Sequence, residues 1–181
     1  MTKENLKGKS AVGKNLRRKS VFRYALIGQG IIIGVTTGLI IALFRWLLIF
    51  ADGCRNRLVA YANTGVGPAL IAALVMLLLV LVIGWILRKE PESTGSGIPQ
   101  VEAELLGKKD MNWLSVLVSK ILGCALSIGG GLALGREGPS IQIGAMVGKG
   151  FARTNKRVLT EERYLMSCGA GAGLSAAFGA P

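Results

Sequence analysis

Two short segments carry residues whose types and spacing suit anion chemistry. Glu137 stands in Gly135-Arg136-Glu137-Gly138-Pro139, and Ser96 stands in Gly95-Ser96-Gly97-Ile98-Pro99. Each glycine pair breaks a helix, and each proline suits the first turn of the helix that follows. A helix that begins there presents N–H groups without intrahelical partners, and its dipole end is positive. Together these make an anion site without a full cation. Ser96 adds a hydroxyl donor. Glu137 adds a carboxylate, itself an anion, which can occupy such a site in the anion's place and leave it on protonation. A narrow pathway favours its neutral form, whereas the helix end and Arg136 favour its charged form. Such a group would be gate and proton carrier together. A plainer reading makes Glu137 a capping residue or a partner of Arg136.

The elements that must position these segments are apolar. Three stretches, Tyr24 to Ala51, Val66 to Leu87 and Trp113 to Leu134, each reach the roughly 20 residues a helix needs to span hydrocarbon. Gly138 to Ala152 and Leu165 to Pro181 are shorter and rich in glycine and alanine, which suits buried or partial-span helices. Mean hydropathy is +0.49 with 51% hydrophobic residues, so the chain reads as an integral membrane protein. Irregular backbone between such helices is tolerated only where protein buries it or a cavity lines it. Transporters with discontinuous helices place their sites there.

Charge sets the orientation. Of 22 basic residues, eight (Lys3, Lys7, Lys9, Lys14, Arg17, Arg18, Lys19 and Arg23) precede the first span. Residues 1–23 therefore form a basic cytoplasmic segment, mobile or lying on anionic lipid, and residues 24–181 the transmembrane domain. The segment from Asp52 to Gly65 becomes an extracellular loop, and Arg88 and Lys89 return to the inside. No aromatic residues interleave the basic ones, so nucleic acid is not the partner. The tail is too long for a cleaved signal peptide.

Other features are mainly structural. Gly30, Gly34 and Gly38 repeat the four-residue spacing at which another helix can approach closely, as do Gly169 and Gly173. Arg45 and Trp46 suit the membrane interface. Pro91, Gly95, Gly97 and Pro99 leave a flexible turn, followed by a short helical piece from Gln100 to Leu106. Lys120 lies inside the third span, where it either faces the interior or snorkels to the cytoplasmic surface. Cys54, Cys124 and Cys168 form no CxxC pair, and histidine is absent, so neither a metal site nor a histidine-based triad is indicated. Gly144 to Lys149 falls one residue short of a P-loop, and Gly169, Gly171 and Gly173 lack dinucleotide spacing. No cofactor is implied, and no nucleophile–base pair marks an enzyme.

The segments Gly95–Pro99 and Gly135–Pro139 (with Gln142 and Gly144 after the latter) and the run Ala176-Ala177-Phe178-Gly179-Ala180-Pro181 resemble, in order, the CLC family of chloride channels and chloride–proton exchangers. The resemblance runs from about Tyr24 to the last residue. It implies an all-α polytopic membrane protein with tilted and broken helices, the N-terminal part of an inverted-repeat transporter fold. It further implies transport of chloride or a similar small anion, with Ser96 coordinating a central anion and Glu137 as gating glutamate. Amides of Gly97, Ile98, Arg136, Glu137 and Gly138 would face the anion, and Lys120 would add positive potential. Serine at position 96 is similar to members that prefer chloride over nitrate, and the intact segment is unlike the fluoride-exporting branch. The family implies a homodimer in the cell membrane. Gln100 stands where many members carry an acid, so proton access from inside cannot be read there. A full member has a second, inverted half, so this chain is expected to insert into membranes but not to transport alone. A truncated fragment with a structural or regulatory role is the alternative. Channel and proton-coupled exchanger are both compatible with these residues.

Overall fold

The computed structural model describes the backbone of residues 3–179 and the side chains of residues 26–179. The basic side chains of residues 1–23, and Ala180 and Pro181, lie outside the described residues. Among the described residues six helices follow one another: α1 (Lys3–Ala62), α2 (Val66–Lys89), α3 (Ile98–Leu105), α4 (Trp113–Gly129), α5 (Glu137–Thr154) and α6 (Leu159–Phe178), with a 3-10 turn at Pro91–Ser93. Among the described residues there is no strand, as expected for an all-α fold.

Several boundaries differ from the sequence expectation, for local reasons. The stretch expected as a loop from Asp52 is helical to Ala62, leaving only residues 63–65 to turn. No proline stands there to break the helix, and Arg55 pairs with Asp52 one turn earlier at 2.9 Å. The third span was expected to reach Leu134 but stops at Gly129. Gly131 adopts the left-handed φ of 93° just beyond, and Gly129 lies against the Ala51 side chain. Asn112 caps α4 at the other end, accepting from the Leu114 and Ser115 amides at 3.2 and 3.4 Å. Helix α6 begins at Leu159, six residues ahead of the apolar run, with Glu161 and Glu162 in its first turn.

Helix α5 is the centre of the structure. Its Ile143, Ala145, Met146 and Ala152 are fully buried, between α4 on one side and α6 on the other. Against α6 the backbones nearly touch. A methyl group on Gly144 would strike the Gly169 carbonyl, one on Gly148 the Leu165 carbonyl, and one on Gly173 the Ser140 carbonyl. The close approach foreseen at Gly169 and Gly173 is therefore realised against α5. Along Gly30 to Gly38 no such approach occurs among the described residues: a Cβ on Gly30 would meet only Cys168 Sγ at 3.9 Å, and one on Gly34 or Gly38 nothing within 4 Å. The inward stripe of α1 is instead Ile33, Thr37, Ile41, Phe44 and Leu48, at helical spacing.

Apolar residues also cover the outside. Helix α2 buries only Ala72 and exposes Leu70, Leu74, Leu77, Leu78 and Leu81. That is a bilayer-facing or protein-facing surface rather than a water-facing one. Helices α1 (from Leu26) and α2 are long and apolar enough to cross a membrane, and α4 is a shorter apolar helix.

Candidate functional site: two helix starts that meet

The Ser96 turn and the Glu137 turn are about 40 residues apart in sequence and adjacent in space. A Cβ on Gly138 would lie 2.5 Å from the Ser96 carbonyl oxygen and 3.0 Å from its Cβ, so only glycine lets the two backbones come this close. Gly97 has the left-handed φ of 90° and lies flat against the Gln142 side chain, so both conformation and space require glycine there. The two helices then run side by side in the same direction, with Gly97 beside Gln142 and Glu104 bonded to Lys149 further along. Their N-termini converge, and with them two positive dipole ends.

The free amides follow from helix geometry. The first intrahelical bond of α5 runs from the Ser140 N–H to the Arg136 carbonyl at 3.2 Å. Pro139 has no N–H, which leaves those of Glu137 and Gly138 without intrahelical acceptors. In α3 the Ile98 N–H reaches the Ser96 hydroxyl oxygen at 3.4 Å. That long bond uses an acceptor position of Ser96 and leaves its O–H free to donate.

Glu137 is exposed, and its carboxylate folds back over Gly135, where a Cβ would lie 2.8 Å from Oε2. With Arg136 it lines a cavity of about 350 Å³ walled by Leu48, Ile49, Asp52, Ile128 and Leu134. Among the described residues no salt bridge joins Glu137 to Arg136. Nor does a side chain cap α5. The plainer reading of Glu137 as the partner of Arg136 thus has no contact behind it here.

Lys120 does not snorkel. It is 1% exposed, and its Nζ donates to the Ser93 carbonyl at 3.0 Å and the Gly95 carbonyl at 2.8 Å. Its ammonium therefore lies against the backbone that leads into the Ser96 turn and takes up two of its carbonyls. Two glutamines complete the scaffold, Gln100 donating to the Thr94 carbonyl at 3.0 Å and Gln142 to the Glu92 carbonyl at 2.8 Å. The segment expected to be flexible is thus held at Glu92, Ser93, Thr94 and Gly95 in succession. Gln142, which holds this segment, carried no assigned role from sequence, and neither did Glu104 and Lys149, which bond to each other at the far end of the same helix pair. The available signal was that Glu104 shares an α3 face with the apolar Val101, and Lys149 an α5 face with the apolar Ala145 and Met146.

Comparison with known proteins agrees with this arrangement. The family described as voltage gated chloride channel matches residues 79–181. The H(+)/Cl(−) exchange transporter ClcA of Citrobacter koseri is 36% identical over 160 residues, which cover 87% of this chain and 34% of that protein. ClcA of Salmonella schwarzengrund is 33% identical over 171 residues, covering 93% and 36% respectively. The crystal structure of a slow cyanobacterial Cl−/H+ antiporter superposes with a TM-score of 0.77 at 33% identity, over 84% of this chain and 36% of that one. The chain thus spans about a third of the length of the relatives it matches. With its two helix starts packed together and a match over more than half its residues, the chain is an integral membrane protein of the voltage-gated chloride channel (CLC) family, corresponding to an N-terminal portion.

Proposed function

We propose that this chain supplies one side of the anion pathway in a CLC-type transporter that exchanges chloride for protons. The observation that carries the proposal is the junction of Ser96 with Gly138, which brings two helix starts and a carboxylate to one place. There the Ser96 hydroxyl and the amides of Gly97, Arg136, Glu137 and Gly138 hold the anion, joined by the Ile98 amide once it exchanges its long bond to the Ser96 hydroxyl oxygen for the ion, with Lys120 adding positive potential. Desolvating a chloride ion is costly, and converging donors offset that cost without the tight binding a full counter-charge would bring. Glu137 competes with the anion when ionised and withdraws when protonated, which links anion passage to proton transfer. With the N-terminus inside, α5 starts at the external end of its span, and the exposure of Glu137 on the cavity it shares with Asp52 supports proton access from that side. The exchangers and antiporter among the relatives favour coupled exchange over a simple channel. Residues 1–23 then lie in the cytoplasm and residues 24–181 in the cell membrane, and the full-length protein is a homodimer.

The test uses full-length protein that contains this chain, reconstituted in liposomes. Glu137→Gln, the neutral mimic, should abolish proton uptake driven by a chloride gradient while chloride efflux persists. Proton movement at the parental rate in Glu137→Gln would remove Glu137 from the gate, and absent chloride efflux in the parent would refute the transport reading.

A further inference from the structure

Lys149 is fully buried in α5, and nothing in the anion pathway touches it. Its Nζ is held by a Glu104 carboxylate oxygen, by Asp110 Oδ1 at 2.8 Å and by the Met111 carbonyl at 2.5 Å. Glu104, 5% exposed, uses its other oxygen to accept from the Met111 N–H at 2.9 Å. All three ammonium hydrogens and both carboxylate oxygens are therefore engaged. Burying such a pair is a poor way to gain stability, since two apolar residues of similar size would serve as well or better. Its value must lie in direction, which apolar contacts lack.

The spacing shows what is directed. Gly97 of the Ser96 turn lies on Gln142, and Glu104 lies on Lys149. Both steps are seven residues, two helical turns or about 10 Å along each axis. Between them Val101 of α3 shares one buried cluster with Ala145 and Met146 of α5. The two half-helices are thus joined in register at both ends, through backbone contact at Ser96 and Gly138 and through charge at Glu104 and Lys149. A slip of one residue would move α3 by about 1.5 Å and turn its face by about 100°. Smooth apolar packing at Val101 resists such a slip poorly, whereas a buried, fully hydrogen-bonded ion pair resists it strongly.

We infer that the Lys149–Glu104 pair is the positioning element of the anion site, setting the register of α3 against α5 and so the spacing of the two helix starts. It rests on the reading of the Ser96–Glu137 junction as that site. Anion affinity and selectivity then depend on two residues that never touch the anion.

The experiment uses the full-length protein, with chloride binding measured by titration calorimetry and chloride-to-nitrate preference by competitive flux in liposomes. Glu104→Gln keeps the side-chain size and removes the charge. It should raise the chloride Kd about tenfold and shift the preference. Lys149→Met should do the same, and the double substitution should be no worse than either alone, because one contact is lost in each case. Lys149→Arg, which retains a buried cation, should fall much closer to the parent. If Lys149→Met fails to fold, Glu104→Gln carries the test. A monodisperse Glu104→Gln protein with parental Kd and parental preference overturns the inference, while a parent that neither binds nor moves chloride overturns the site reading beneath it.

Discussion

Replacing Gly138 with alanine tests whether the two helix starts act as one site. The added Cβ would lie 2.5 Å from the Ser96 carbonyl oxygen, where ordinary contact begins at 3.4 Å. The turn and α5 must therefore separate by about 0.9 Å. Neither side yields easily. The Ser96 turn is tied down by Lys120, Gln100 and Gln142, and α5 is fixed against α6 by glycine backbones that leave no slack. Overpacking of this kind costs about 1–3 kcal/mol of stability. The larger effect falls on the anion. A donor at about 2.9 Å that retreats by 0.9 Å leaves hydrogen-bond range. A hydrogen bond to a charged group contributes about 1.5–3 kcal/mol, which corresponds to roughly a tenfold to hundredfold weaker chloride affinity. Titration calorimetry on full-length Gly138→Ala protein measures it, with melting temperature as the control for folding. A folded variant that binds chloride as tightly as the parent would refute the idea that donors from both turns meet the same ion.

Two further outcomes are expected. Ser96→Pro removes the hydroxyl from the turn and should shift preference from chloride towards nitrate, read by reversal potential or competitive flux; unchanged preference would take Ser96 out of the selectivity role. Asp110, in the loop between α3 and α4, is held below its ordinary 3.8 mainly by the hydrogen bond from Lys149, with Arg153 adding to it. A carboxyl with a depressed folded value contributes stability above its unfolded value and loses it as pH falls through the folded one. Asp110→Asn should therefore lower the melting temperature at neutral pH, modestly because the side chain is 70% exposed. The gap to the parent should close only below pH 3.8, and a gap that closes near neutrality would mean another group governs it.

Much of this protein could be read along the chain because the physics involved is local. Apolar runs longer than a bilayer is thick, basic residues stacked before the first of them, and prolines set one turn inside helix starts each act within a few residues of themselves. The membrane setting, the helical spans and the two candidate segments around Ser96 and Glu137 follow from those alone, whereas the inverted-repeat fold class comes from the family resemblance. Where local rules left a choice open, only the assembled fold decides it. The glycine repeat of α1 from Gly30 to Gly38 has the spacing for close packing but names no partner, and among the described residues the helix backbones that nearly touch are those at Gly144, Gly148, Gly169 and Gly173. Lys120 is compatible with snorkelling by sequence alone, and what holds it inside are the Ser93 and Gly95 carbonyls, 25 or more residues away. Nor does any sequence rule place Glu104 on Lys149, since 45 residues separate them and each alone is simply a charge on an apolar helix face. Segments are set by composition and period, which the chain carries with it. The meeting of Ser96 with Gly138, and the register that holds them together, arises only when α3 and α5 lie side by side.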